Sequence, residues 1–229
     1  RPAWRMKVAD KTTKAFQQAT ENLVIDDDFL NSYNHGDIEN IGLQQLADNM
    51  REELQHGSGV VWLQGIPATE FSVAQMKFFY LAVGAAIGQC METYGRLYDV
   101  RDYGGSYKKE RIPVSQTRAA TGFHTDSSAR NNMPDIVALL CLQPARTGGE
   151  SLVVSSATAH ERLRESNLPA LTILYREFIR DIVTPGTGKT IDALLDNRFP
   201  VFSQGLYSPV LSFRYMRYWI EKGHKEAKM

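Results

Sequence analysis

Apolar positions change their rhythm part-way along this chain. Over residues 41–55, Leu43, Leu46, Ala47, Met50 and Leu54 recur three and four apart, the spacing of one helical face, and Gly57 closes the run. Residues 60–63, "VVWL", are a short continuous apolar stretch, which predicts a buried strand. Ser72 and Gln75 then form a capping box ahead of Met76, Phe79, Tyr80, Val83 and Ile87, predicting a second helix that runs to Gly88. A helix-strand-helix portion is therefore expected over about 41–90. Residues 1–40 before it are mixed and polar, with "NSYNHGD" as a turn cluster.

From about residue 94 to 229 the pattern shortens. Strand-like pieces at 96–100, 114–126, 136–142, 151–155, 178–184 and 210–215 are separated mostly by turn clusters such as "YGGS", "RNNMPD", "ARTGGE" and "TPGTGK". One helix interrupts, from Thr158, capped with Glu161, and past Pro169 towards Tyr175. Many short strands without a βαβ rhythm predict an antiparallel sandwich or jelly roll with helices packed outside, an α+β chain. The segment "VRDYGGSYKKERIP" reads either as a lid or as a solvated connection.

Composition narrows the classes. A chain of 229 residues with 43% hydrophobic and 23% charged residues is expected to form one large soluble globular domain, or at most two small ones, with ample core material. Its 26 basic and 26 acidic side chains cancel, and no basic stripe interleaves with the aromatics, so nucleic acid is not an expected partner. No leader and no membrane-length apolar run are visible, which excludes a membrane partner and makes a cytoplasmic setting the expectation. Cys90 and Cys141 each lie in an apolar run and are expected to be buried free thiols. The chain opens on Arg1 and stops inside the helix-like "YWIEKGHKEAKM", so it is expected to be a fragment whose last strands lie beyond Met229. Oligomeric state is not encoded in any of these patterns.

Chemistry concentrates at "TGFHTDSS". Histidine, any residue, then an acid occurs three times, at His35-Gly36-Asp37, His124-Thr125-Asp126 and His224-Lys225-Glu226. Five histidines among 26 acids make one such triplet uninformative by itself. The first lies in a turn and the third in a helix-like tail. Only the second sits in a strand-like run, where residues two apart face the same side with Cα atoms about 6.7 Å apart. Two side chains so placed can meet one ion, as two legs of the two-histidine, one-carboxylate set that leaves open positions on a ferrous ion. A plain histidine–aspartate hydrogen bond at a strand end is the competing account. Ala119, Ala120 and Gly122 leave room beside the pair. Counting back by twos from His124 reaches Arg118, either a guanidinium for a carboxylate or an ordinary surface arginine. "GTGKT" at 186–190 approaches a phosphate-binding loop, but position 183, where that motif needs glycine, is Val183; it reads as a hairpin turn.

"GFHTDSS", then "PDIVALLCLQPARTGGESLVVSSATAHERL", "FPVFS" and "SFRYMRYWIEKGH", resembles the taurine dioxygenase-like family of iron(II)- and 2-oxoglutarate-dependent oxygenases. The resemblance covers most of the chain. It implies a double-stranded β-helix, a cupin-like jelly roll, with flanking helices. It implies that His124 and Asp126 are iron ligands, and that Ser151, in "GGES", touches 2-oxoglutarate, with Arg118 a further candidate for an anionic group. Ser151 reads equally as the first residue of a strand after a turn. The implied reaction oxidatively decarboxylates 2-oxoglutarate with dioxygen and hydroxylates, desaturates or cyclises a small organic acid or amino-acid-like substrate. Asp126 stands where related halogenases carry a small residue, so halogenation is not expected.

The family pattern also demands a second histidine on a late strand and an arginine after it. Downstream of Asp126 only His160 and His224 occur. His160 falls in a capped helix, and no arginine follows His224, so the missing residues are expected beyond Met229. A non-catalytic jelly-roll relative that binds or scaffolds is the alternative, and a cupin-like enzyme with another metal a third.

Overall fold

The computed structural model describes residues 2–34, 36, 41–92, 95–106, 112–181, 190–205 and 210–228. His35, Asp37, the turn at 182–189 and part of the lid candidate, 107–111, lie outside them. The chain divides into two compact units, Arg1–Tyr98 with Ala138–Gly149, and Asp99–Val137 with Glu150–Met229.

The first unit contains β1 (Arg5–Lys7), α1 (Asp10–Thr20), α2 (Asp27–Ser32), α3 (Gln44–His56), β2 (Trp62–Gln64) and α4 (Val73–Ile87). The expected helix-strand-helix portion is α3, β2 and α4. Both halves of the capping box form on α4: Ser72 Oγ accepts from the Gln75 amide, and the Gln75 side chain accepts from the Ser72 amide. Helices α1 and α2 and strand β1 were hidden in the polar opening segment. β1 pairs in parallel with β2, Met6 opposite Leu63. Phe16 of α1 supplies the reason α1 is held: it is fully buried among Phe71, Phe78 and Phe79, with ring centroids 5.1–5.4 Å away. Arg51 ties α3 to the end of α4 by donating to the Ala86 and Ile87 carbonyls at 2.6 and 3.3 Å, which would otherwise lack partners there.

The second unit holds a 3-10 turn (Val114–Gln116), α5 (Ser156–Ser166), α6 (Leu168–Leu174), β3 (Phe178–Ile179), α7 (Ile191–Asp196), β4 (Arg198–Phe199), β5 (Phe202–Gln204), β6 (Leu211–Phe213) and α8 (Arg217–Glu226). β3 pairs antiparallel with β4, and β5 with β6. Leu171, Val201 and Phe202 form the buried centre, with Leu163, Phe178, Phe213 and Ile220 packed around it. The single helix expected across Pro169 is two. Ser155, not Thr158, caps the first, and Asn167 caps the second, whose opening turn accepts Pro169 because the first amides of a helix have no partner to lose. α8 approaches β3 closely at Gly223: a Cβ there would stand 2.7 Å from the Ile179 carbonyl oxygen.

Strands at 96–100, 136–142 and 151–155 are absent among the described residues, and 114–126 yields only the 3-10 turn and one antiparallel bridge, His124 to Met216. Alternation signals an extended chain, but a strand exists only where a neighbour takes its backbone hydrogen bonds. Among the described residues these segments have no such neighbour, and Leu139, Leu152 and Val153 are 75, 77 and 72% exposed. The described residues thus form helices and two-stranded sheets. Cys90 and Cys141 are free thiols as expected, but neither is buried: Cys90 is half-buried, and Cys141 is exposed in a segment outside any described strand.

Candidate metal centre

His124 and Asp126 sit where the chain leaves an extended stretch and turns. The bridge to Met216 fixes His124, and Thr125 locks the next residue: its amide donates to the Tyr215 carbonyl at 2.7 Å, while its hydroxyl accepts from the Tyr215 amide at 3.0 Å. After Asp126 the backbone reverses through Ser127, held in the left-handed region at φ 53°, and Ser128 and Ala129 bury completely. This anchoring presents the two functional side chains towards one point. His124 Nε2 lies 3.3 Å from Asp126 Oδ1, and His124 Nδ1 lies 2.8 Å from the Gly122 carbonyl oxygen.

The protonation follows from those partners. A carboxylate and a backbone carbonyl both accept hydrogen bonds, so the ring bonds to both at once only when it carries hydrogen on each nitrogen, and both partners favour that form. The Asp126 hydrogen bond accordingly raises the His124 pKa above its ordinary 6.5; burial opposes it, and the Gly122 carbonyl and the Asp126 charge add to it. The Nδ1–Gly122 bond has a second consequence. Once the ring is neutral, a hydrogen kept on Nδ1 for Gly122 selects the tautomer that frees Nε2 for a metal, the arrangement found behind ligating histidines.

The donor set fits a ferrous ion at two positions. Adjacent corners of an octahedron with bonds of about 2.1 Å lie about 3 Å apart, close to the separation of Nε2 and Oδ1. No group of three or more histidine, cysteine, aspartate or glutamate side chains able to hold a metal occurs among the described residues. Both downstream histidines are committed elsewhere. His224, on α8, accepts the Ile179 amide on Nε2 at 3.2 Å and sets its ring edge-on to Phe178. His160, on α5, bonds the Tyr175 hydroxyl at 2.8 Å and Glu161 at 3.2 Å, packed edge-on against Phe202.

Among the described contacts, none joins the other two candidates to the pair. Arg118 is 89% exposed at its side chain and ion-paired with Asp102 at 2.5 Å; the Gly104 amide first, and Arg118 after it, hold that carboxyl below its usual range. With 117–123 irregular rather than a strand, counting by twos no longer assigns Arg118 a face. Ser151 is exposed and lies in an irregular segment. A small cleft does open beside His124, lined by Ala120, Gly122, Phe123, Met216 and Tyr218 among others. Sequence reasoning had the small residues that make this room but missed the carbonyl of Gly122 and the segment 214–216 as supports. Strand-like 210–215 was visible, but not what it pairs with.

A model of the family described as "Taurine catabolism dioxygenase TauD, TfdA family" matches residues 32–202, three quarters of the chain. This chain belongs to the TauD/TfdA family. Relatives in the same dioxygenase family include FR-33289 synthase of Streptomyces rubellomurinus, 34% identical over 135 residues, which are 57% of this chain and 38% of that protein. Human gamma-butyrobetaine dioxygenase is 30% identical over 86 residues, 38% of this chain and 21% of that protein. The chain therefore spans well under half the length of either relative. No described helix of this TauD/TfdA chain is long and apolar enough to cross a membrane.

Proposed function

We propose that this chain is the metal-binding part of an iron(II)- and 2-oxoglutarate-dependent dioxygenase that oxidises a small organic acid or amino-acid-like molecule. The jelly roll, and a cytoplasmic setting consistent with free thiols, belong to the same reading. The observation that carries it is the convergence of His124 Nε2 and Asp126 Oδ1 at 3.3 Å, with Nδ1 anchored on Gly122. Family membership supports iron and 2-oxoglutarate, and a relative named for gamma-butyrobetaine supports a small-molecule substrate.

When bound, ferrous iron with 2-oxoglutarate supplies dioxygen activation coupled to decarboxylation of the co-substrate. His124 contributes Nε2, giving up the proton it shares with Asp126. Asp126 supplies a carboxylate oxygen whose charge is no longer spent on the imidazolium. Gly122 keeps the ring oriented through the exchange. Phe123, more than half exposed beside the cleft, and Met216 offer apolar surface against which a substrate chain can exclude water. Ser151 and Arg118 remain the proposed contacts for the carboxylates of 2-oxoglutarate or substrate.

Iron titration and succinate release on the full-length protein test this reading. Stoichiometric iron and 2-oxoglutarate turnover are expected, with His124→Ala and Asp126→Ala each losing both; iron binding that survives either substitution overturns the assignment. A second reading, a non-catalytic relative in which His124 and Asp126 are a structural ion pair, is favoured by one observation: only two ligands converge among the described residues. It predicts no iron uptake at all.

A further inference from the structure

Arg180 is completely buried, in a position the oxygenase chemistry does not use. It follows β3, and its guanidinium reaches four backbone carbonyls: Nη1 donates to Ser128 at 3.1 Å, and the two hydrogens of Nη2 are shared among Phe199 at 3.3 Å, Pro200 at 3.0 Å and Arg214 at 2.8 Å, while Nε has no partner among the described residues. It has no carboxylate partner among the described residues. Removing a cation from water without a counter-ion is costly, and burial pushes this guanidinium down to about 10, with the Arg214 charge adding to the effect. A hydrophobic side chain would fill the same space at lower cost, so what the arginine supplies is its fork of donors.

What the fork grips identifies its use. Ser128 is two residues beyond Asp126, on the inner side of the strained turn at Ser127. The second arginine in the chain of bonds, Arg214, continues the grip: it receives Arg180 on its carbonyl and donates to the Arg130 and Asn131 carbonyls at 2.6 and 3.3 Å, while its guanidinium lies 4.6 Å over the Phe199 ring. Residue 215, next along, is the one that locks Thr125 from the other side. The turn is thus held at Thr125, Ser128, Arg130 and Asn131, and His124 and Asp126 hang from it.

We infer that the guanidinium pair Arg180 and Arg214 is the positioning device of the metal site, fixing the backbone of residues 125–131 so that His124 and Asp126 meet before any ion arrives. The inference rests on reading those two residues as metal ligands. Neither arginine touches the metal; both act through the turn. Lysine at either position keeps the charge but offers a single ammonium, which cannot stand where two guanidinium nitrogens stand, Nη1 on Ser128 and Nη2 on the other carbonyls at Arg180, and one nitrogen each on Arg130 and Asn131 at Arg214.

Two measurements on the full-length protein separate this device from ordinary packing. In metal-free protein, amide exchange at Thr125 and Arg130, both hydrogen-bonded in the turn, is expected to quicken in Arg180→Lys and Arg214→Lys. Co(II) titration, followed by its visible absorption, is expected to show affinity about 10- to 100-fold weaker in both, the range typical when the supports of metal ligands are removed. Leu171→Ala, in the core of the same unit and bonded to no part of the turn, is the stability control; it should lower the melting temperature with wild-type Co(II) affinity. Arginine variants that bind Co(II) no more weakly than Leu171→Ala overturn the inference and leave the metal reading intact. If wild type and His124→Ala bind Co(II) equally poorly, the metal reading falls and the inference falls with it, whatever the exchange data show. Should Arg180→Lys fail to fold, Arg214→Lys, whose side chain is only part-buried, decides the same question.

Discussion

At the scale of single residues, His124 carries opposed demands that differ in their pH dependence. Its pKa is raised in the folded protein above the 6.5 of the free side chain, chiefly by Asp126. The imidazolium–carboxylate pair therefore stabilises metal-free protein fully below the unfolded pKa, and that contribution is lost as pH rises through the higher folded pKa. Replacing His124 with glutamine should cost metal-free protein more stability at about pH 5.5 than at about pH 9, read by urea denaturation at each pH; an equal cost would mean the pair does not form. Metal uptake runs the other way, because Nε2 must shed a proton to ligate, so affinity should rise across the same window. The pair was legible because a triplet of adjacent residues carries it. Gly122, Arg180 and Arg214 were not, since their roles depend on which carbonyl or ring folds against them. One signal was available for Arg180: alternation in "REFIRD" puts it on the same side as Phe178, which packs on the core.

Elements divide by whether their stabilising contacts are local. Helix α4 could be read to within a residue because its capping box and apolar run lie within its own sequence. The strands could not, because the hydrogen bonds that define them come from residues far away, and extended segments such as 151–155 found no neighbour. The contact of α8 with β3 is similarly non-local, and it turns on a missing side chain. Gly223→Ala would place a Cβ against the Ile179 carbonyl and the Asp181 amide, both backbone, so neither can swing aside. The helix must shift, straining the 2.7 Å Lys222–Asp181 ion pair and the His224 contact with Ile179. A loss of about 1–3 kcal/mol is expected, typical of overpacking, measured by chemical denaturation; a neutral substitution would show that α8 is not held this tightly.

For the whole molecule, family membership was legible and the completeness of the architecture was not. The spaced "HTD" and "GGES" pointed to the family that the match over residues 32–202 establishes. Each of the two units has its own apolar centre, one around Phe16 and Phe78, the other around Leu171 and Phe202. Between these centres in sequence run apolar side chains that reach neither. Leu152→Lys in this 229-residue chain should change stability by no more than about 0.5 kcal/mol, as for any side chain already in water. A loss several times larger, seen by the same denaturation, would mean that Leu152 packs in solution.

The bridge between Thr125 and Tyr215 joins residues 90 positions apart. During synthesis, a ribosome delivers the histidine and the aspartate long before it delivers their anchor. A nascent chain paused near residue 205 carries His124 and Asp126 on a turn that still lacks Arg214 and Tyr215, and closing so long a loop is slow. On the proposed metal reading, iron loading becomes a late event in the life of the polypeptide, reserved for chains whose strand β6 has already emerged and docked.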